Sequence, residues 1–551
     1  MLWWVFSWLA CTAEDEPCPA GPNCAQPPTH DTAPPTVPTE PDVSVPATLT
    51  EAGEVTCQDP ETRDDLVFQR RTATSPPNSA EWLHAGGIIA GDFDADSTLD
   101  FICPAEAYTN VYRGDGDGGF EIVSEVLGSY DTSMGVGGST ADYDGDGDLD
   151  VLLLRYDERN FLLRNDGDFQ FTEIGLDAGL SDEGRFSMVG AWSDWDHDGD
   201  LDLVIGNYGS PDHSGTVAPS DFEPSEPDWF YVNNGDGTFT DRSDLLPEDV
   251  HDGYTYVVTW FDANADGWDD LYFINDFGPL VPNTLLFNRN GEILEQDVGN
   301  STFLNFDATG MGLGIGDVDY DGVQDLLIPQ WKIVTYHKHS AGKWIDNAQA
   351  VGITPDTLND QEIGWGAEFA DLDNDADLDA LVVYGHVDTT NPNWIQPHDQ
   401  PDALFINDGG AFTDEAEAWD LDDLGVGRGF VIIDFNKDGF LDIAKRDLDG
   451  PNVIHLSNCG DRAWLEVAVR QPGMNGFAVG AKVEVLAGGI RQTQWVRAGG
   501  HSFQSGGPPE VHFGLDLAEV IDELTVTWPD GRTSSFTDVV PRQRVTVDRV
   551  P

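Results

Sequence analysis

Basic residues are scarce in this chain: 26 Lys and Arg stand against 101 Asp and Glu, for a formal net charge of −75. A surface of that sign repels phosphodiester backbones and anionic membranes, so a nucleic-acid binder or a membrane-surface protein held by basic patches is excluded. Bound cations or a basic partner are favoured. Cysteine is sparse too, with six in 551 residues and no C-x-x-C pair. No run approaches the roughly 20 apolar residues that a membrane span needs. G-x-S-x-G, H-E-x-x-H and phosphate-cradling glycine loops are also missing, which leaves common hydrolase, metalloprotease and nucleotide chemistries without a motif. Apolar side chains are not missing. At 40% hydrophobic and 11% aromatic, the chain is too apolar for a disordered acidic segment.

The length allows more than one domain. Residues 1–11, M-L-W-W-V-F-S-W-L-A-C, are apolar and end on Ala10-Cys11, a signal segment resembling the lipobox of bacterial lipoproteins. No Lys or Arg precedes the apolar run, and Trp8 stands where Leu is usual. The expectation is export, either to the cell surface or outer membrane through a lipid on Cys11, or as a secreted protein. Residues 12–56, rich in Pro, Thr and acids, read as a disordered tether. With Cys11 lipidated, five cysteines remain, and Cys18 and Cys24 are close enough in sequence to pair locally. Cys57 and Cys459 flank the repeat region described next, where a bridge would staple its two ends, although sequence alone does not fix connectivity.

Seven nine-residue acidic loops recur at intervals of 50 to 68 residues. Position 1 is Asp92, Asp142, Asp194, Asp262, Asp317, Asp371 and Asp434. Position 3 is Asp94, Asp144, Asp196, Asn264, Asp319, Asp373 and Asn436. Position 5 is Asp96, Asp146, Asp198, Asp266, Asp321, Asp375 and Asp438, and position 9 is Asp100, Asp150, Asp202, Asp270, Asp325, Asp379 and Asp442. Oxygen ligands at positions 1, 3, 5 and 9, a backbone carbonyl at 7 and a Gly-permitting bend at 6 are the donor pattern of a Ca²⁺ loop. Two loops carry Ser97 and Ala376 at position 6. A non-Gly residue at φ > 0 costs roughly 1 kcal/mol, so these two sites are expected to be the weakest. Asp also favours turns without any metal. Three or four carboxylates within nine residues nevertheless repel one another unless a cation is present.

Each loop lies between a Gly-rich apolar strand and a second apolar strand, and hairpin signals such as N-D-G and G-D-G follow in several units. Four strands per unit at this period predict an all-β fold, a seven-bladed β-propeller over 57–458. The last unit lacks its outer strand, and the strand-like segment 65–70 is expected to supply it and close the ring. From Cys459 onward, period-two alternation predicts a small C-terminal β-sandwich over 459–551.

The in-phase acidic loops resemble the FG-GAP/VCBS repeats, and A-V-G-A-K-V, R-A-G-G-H-S-F-Q-S, V-H-F-G-L and V-T-W-P-D-G-R resemble the ASPIC/UnbV domain. The first resemblance implies integrin-like loops with one structural Ca²⁺ per blade, up to seven. The second implies no particular activity.

No catalytic residues are assigned. His501 and His512 sit among small polar residues, and His337 and His339 form an H-K-H run, but lone histidines on strands and turns are usually structural. Inserts at 209–228 and 386–401 are the expected recognition loops. The expected function is a Ca²⁺-stabilised adhesion or binding scaffold, a monomer, for a protein or glycan ligand. The alternative is a polysaccharide lyase or hydrolase, which would need His, Tyr, Arg or paired carboxylates converging outside the acidic loops.

Overall fold

The computed structural model of the protein describes residues 44–57, 68–72, 86–105, 109–130, 134–209, 225–251, 253–278, 280–354, 362–386, 400–448 and 450–551. The expected signal segment, Cys11, Cys18, Cys24 and most of both inserts lie outside these. Among the described residues the fold is all-β, with two four-residue α-helices, Glu248–His251 and Ala348–Val351. No helix among them is long and apolar enough to cross a membrane.

Seven antiparallel sheets follow one another along the chain, six of four strands and the third of five, its extra strand being Ala498–Gly499. The second shows the plan. Gly135–Ala141 pairs with Asp150–Arg155, then Phe161–Asn165, then Phe171–Glu173. The innermost strands are almost wholly buried and most carry glycine where neighbouring backbones approach too closely for a side chain: a Cβ at Gly138 would collide with the Leu152 carbonyl. Apolar clusters join each sheet to the next. Phe93, Ile102 and Val151 link the first to the second, and Leu152, Trp192 and Leu203 the second to the third. Val204, Val258 and Leu271 continue the series, followed by Phe261, Leu326 and Trp344. Leu327, Phe369 and Ala380 then join fifth to sixth, and Leu381, Phe430 and Ile443 sixth to seventh. Phe101, Tyr112, Val431 and Ile454 pack the seventh sheet on the first.

The seventh sheet is completed as the sequence predicts. Phe68–Thr72 pairs antiparallel with Val453–Ser457, displaced by three residues at its start from the expected 65–70. Cys57 and Cys459 form a disulfide across 402 residues of sequence.

Two features differ from expectation. The tether was drawn to residue 56, yet Ala47–Glu51 forms a strand on Gln543–Arg549. Its alternation turns Ala47 and Leu49 toward the C-terminal core, which the Pro-rich composition upstream obscured. That strand joins Gln543–Arg549, Trp464–Arg470 and Glu510–Gly514 in one sheet, and a second sheet of four, Lys482–Ala487 central within it, shares its apolar core.

The C-terminal segment is also not self-contained. Residues 498–506 leave it and meet the innermost strand of every one of the seven sheets. Ala498–Gly499 pairs with Ala191 and Trp192 of the third. The Ser502 amide donates to the Leu313 carbonyl (2.7 Å), and its hydroxyl to the Phe430 carbonyl (3.2 Å), beside the fifth and within the seventh. The Gly138 and Ala90 amides donate to the Gln504 and Gly506 carbonyls, in the second and first. Phe503, fully buried, packs its ring on Tyr256 and Trp365 of the fourth and sixth.

Candidate metal centres

The seven acidic loops share one backbone path. The position 6 amide donates to the position 1 carboxylate in each: Ser97, Gly147, Gly199, Gly267, Gly322, Ala376 and Gly439, at 2.7 to 3.2 Å. Position 6 has positive φ throughout, including Ser97 at 70° and Ala376 at 78°, so the two substituted loops keep the bend rather than abandoning it. Position 4 is left-handed as well, at Ala95, Gly145, His197, Ala265, Tyr320, Asn374 and Lys437. Sequence gave no sign of that, since only one of these is Gly. His197 lies stacked on Trp268 of the next loop at 3.9 Å.

Carboxylates converge in five loops. Asp92, Asp94 and Asp96 each place an oxygen within 4.8 Å of the others, and so do Asp142, Asp144 and Asp146, and Asp194, Asp196 and Asp198. The same holds for Asp317, Asp319 and Asp321, and for Asp371, Asp373 and Asp379. In the fourth and seventh loops, the Asn264 and Asn436 amides donate to Asp270 and Asp438 instead. Burial, reinforced by the neighbouring carboxylates, pushes Asp142, Asp194 and Asp317 up to about 7 and Asp262 to about 6. Asp144 Oδ1 and Asp319 Oδ1 are buried without a hydrogen-bond partner. An acidic pocket of hard oxygens with orphaned lone pairs fits a divalent cation, and these clusters can hold a metal ion.

Three loops carry organic cations beside their carboxylates. Arg113 pairs with Asp94, Lys338 with Asp319 at 2.7 Å, and Arg462 of the C-terminal segment with Asp373 at 2.8 Å. His339 Nδ1 lies 2.9 Å from Asp321.

Position 9 has a second task that the spacing did not reveal. Asp150 Oδ2 accepts the Tyr143 amide and Oδ1 the Asn165 amide, tying loop to third strand. Asp100, Asp202, Asp270, Asp379 and Asp442 repeat this with Phe93 and Gly114, Trp195 and Asn233, Ala263 and Asn288, Leu372 and Asn407, and Phe435 and Ser457. In the fifth loop, Asp325 takes the Tyr336 hydroxyl and the His339 amide. Asn165, Asn233 and Asn288 add a second tie, each donating its side-chain amide to a carbonyl of the preceding sheet's loop, Phe93, Tyr143 and Trp195. In sequence these asparagines read only as turn residues.

Outside the loops, the two histidines of the C-terminal segment separate. His512 Nε2 lies 3.1 Å from the Gly439 carbonyl, while His501 Nδ1 faces Glu368 Oε1 at 3.4 Å in a cavity of about 140 Å³ beneath the C-terminal segment. His337 is buried and stacked on Phe306 at 4.5 Å.

With this geometry in view, comparison with known proteins is direct. An FG-GAP-like repeat model matches residues 92–153 and 142–205, and an ASPIC and UnbV model matches 471–550. Cartilage acidic protein 1 of Mus musculus is 24% identical over 437 residues, covering 73% of this chain and 62% of that protein. The Homo sapiens protein gives 24% over 437 residues, 73% and 60%. The chain thus spans less than two thirds of the length of the curated relatives it matches. Among solved structures, one of an Agrocybe aegerita lectin recognising non-reducing terminal N-acetylglucosamine aligns with TM-score 0.38 and 17% identity, over 60% of this chain and 79% of that one. One of BBS1N with ARL6DN aligns at 0.40 and 9%, over 71% and 97%.

Proposed function

We propose that this chain, which carries FG-GAP-like repeats and an ASPIC/UnbV domain, is an exported seven-bladed β-propeller whose blades are riveted by Ca²⁺ and whose role is to bind rather than to catalyse. The seven sheets are its blades, over 57–458, with 459–551 as the appended domain. The convergence of three carboxylates in each of five loops, with at least one of the three buried in every loop and orphaned oxygens in several, carries the reading. Positions 1, 3 and 5 hold the ion with the position 7 carbonyl in four loops, positions 1, 3 and 9 hold it in the sixth, and position 9 also braces the loop through backbone hydrogen bonds. Ca²⁺ supplies positive charge to a buried acidic pocket and stabilises the fold by binding only the folded form. The Cys57–Cys459 disulfide fits an oxidising, exported location. Attachment to a membrane is through a lipid on Cys11, and the ligand is a protein or glycan met by the exposed loops.

The enzyme reading has its nearest candidate in Glu368, Arg497 and His501, which line one cavity beneath the C-terminal segment. Titration of the metal-free protein with Ca²⁺, followed by binding to glycan and protein arrays with and without chelator, tests the proposal. Absence of Ca²⁺ uptake overturns the rivets, and turnover of a glycan overturns the binding role.

A further inference from the structure

The cavity beneath the C-terminal segment is walled by opposite charges that do not satisfy one another. Glu368 comes from the inner strand of the sixth sheet, and Trp495, Arg497, His501 and Glu510 come from the C-terminal segment. Arg497 has no ion pair among the described residues, and its Nε and Nη2 are buried without a hydrogen-bond partner. Glu368 Oε1 faces His501, but Oε2 is buried and unpartnered. Glu510 is already held, by Arg544 and by a hydrogen bond with Glu466, which also lines the cavity.

Burying a guanidinium and a carboxylate unpaired is costly, and a folded protein ordinarily either pairs such groups or keeps them for a ligand. The Nε–Nη2 edge of arginine matches a carboxylate in a two-point, planar contact. A free glutamate oxygen is the complementary acceptor for an ammonium. The cavity, about 140 Å³, has room for a small molecule.

We propose that this cavity binds a small zwitterion of the α-amino-acid type, its carboxylate on Arg497 and its ammonium on Glu368. Trp495 and Val511 supply the apolar wall for a short side chain. Asp371 and Asp434, the position 1 residues of the sixth and seventh loops, also line this cavity, so the titrations are run at one fixed, saturating Ca²⁺ concentration.

Calorimetric titration of the full chain in Ca²⁺-containing buffer with L-alanine, propionate and ethylamine tests this. The expected result is binding of alanine, with propionate and ethylamine each weaker by about tenfold or more, since each forfeits one charge-assisted contact. Glu368→Gln is expected to weaken alanine by about tenfold while leaving propionate unchanged, and Arg497→Met to abolish both. No heat with alanine, equal affinity for propionate, or unaltered alanine binding in Glu368→Gln would overturn the assignment. The three wild-type titrations decide the ligand class even if Arg497→Met fails to fold.

Discussion

Trp464 of the C-terminal sheet lies flat against Gly439, the position 6 residue of the seventh loop, so closely that a Cβ at Gly439 would fall inside the indole. The same loop position at Gly147 has nothing within 4 Å of a built Cβ, although both glycines have positive φ, 86° and 99°. Gly147→Ala should therefore cost only the backbone term, about 1 kcal/mol. Gly439→Ala should add overpacking and lose about 2–4 kcal/mol. Denaturant unfolding of the two variants in the same buffer checks the difference.

Removing the metal should matter more at higher pH. Burial raises Asp142, Asp194 and Asp317 to about 7 from an unperturbed 3.8, so without metal the folded chain binds more protons than the unfolded one. Its stability then falls as pH rises from about 4 to about 7. Ca²⁺ competes with those protons and reverses the trend. In EDTA the melting temperature should be lower at pH 8 than at pH 5, and the rise on adding Ca²⁺ should be larger at pH 8. Differential scanning calorimetry under the four conditions tests the sign.

Positions 5 and 9 should respond differently to the same chemical change. Asp150 holds two backbone amides, and an asparagine there would set its NH₂ against one of them. Asp150→Asn should lose about 1–3 kcal/mol in EDTA as well as in Ca²⁺. Asp146→Asn keeps an acceptor for the Asp148 amide and should be near wild type in EDTA, losing only part of the Ca²⁺ increment. Urea melts of both variants, with and without metal, separate brace from ligand.

Reduction of Cys57–Cys459 frees the segment that leads to the closing strand Phe68–Thr72. Cys57→Ser should destabilise the chain by about 2–4 kcal/mol. Urea melts of the variant and the wild type, each with and without reductant, check the loss.

Much of this was legible before any coordinates. Aspartates at positions 1 and 9 of all seven loops marked the loops, their period and the four-strand units, because a tight loop whose backbone amides are taken by carboxylates restricts residue type locally. The closing strand followed from counting strands, whereas Cys57–Cys459 was one pairing that the repeat's ends allowed and only the structure fixes it. What stayed hidden depends on partners distant in sequence. A-T-L-T-E at 47–51 is too short beside its Pro-rich neighbour to declare a strand whose partner lies at 545–549. G-G-H-S-F-Q-S at 499–505 reads as a turn, yet Gly499 and Gly500 meet the Gly190 and Val258 carbonyls where a Cβ would not fit. The asparagines ending the third strands looked like hairpin punctuation, while their amides reach into the preceding sheet.

The segment 498–506 sets a timetable. It fills the place where seven inner strands meet, and it is made after all of them. The strands at Ala47–Glu51 and Phe68–Thr72 also wait for partners more than 380 residues downstream. An emerging chain can form single sheets but cannot finish its centre until residues 498–506 have been delivered. Any truncation before residue 507 should thus leave an unfinished, chaperone-dependent assembly rather than a shorter stable one.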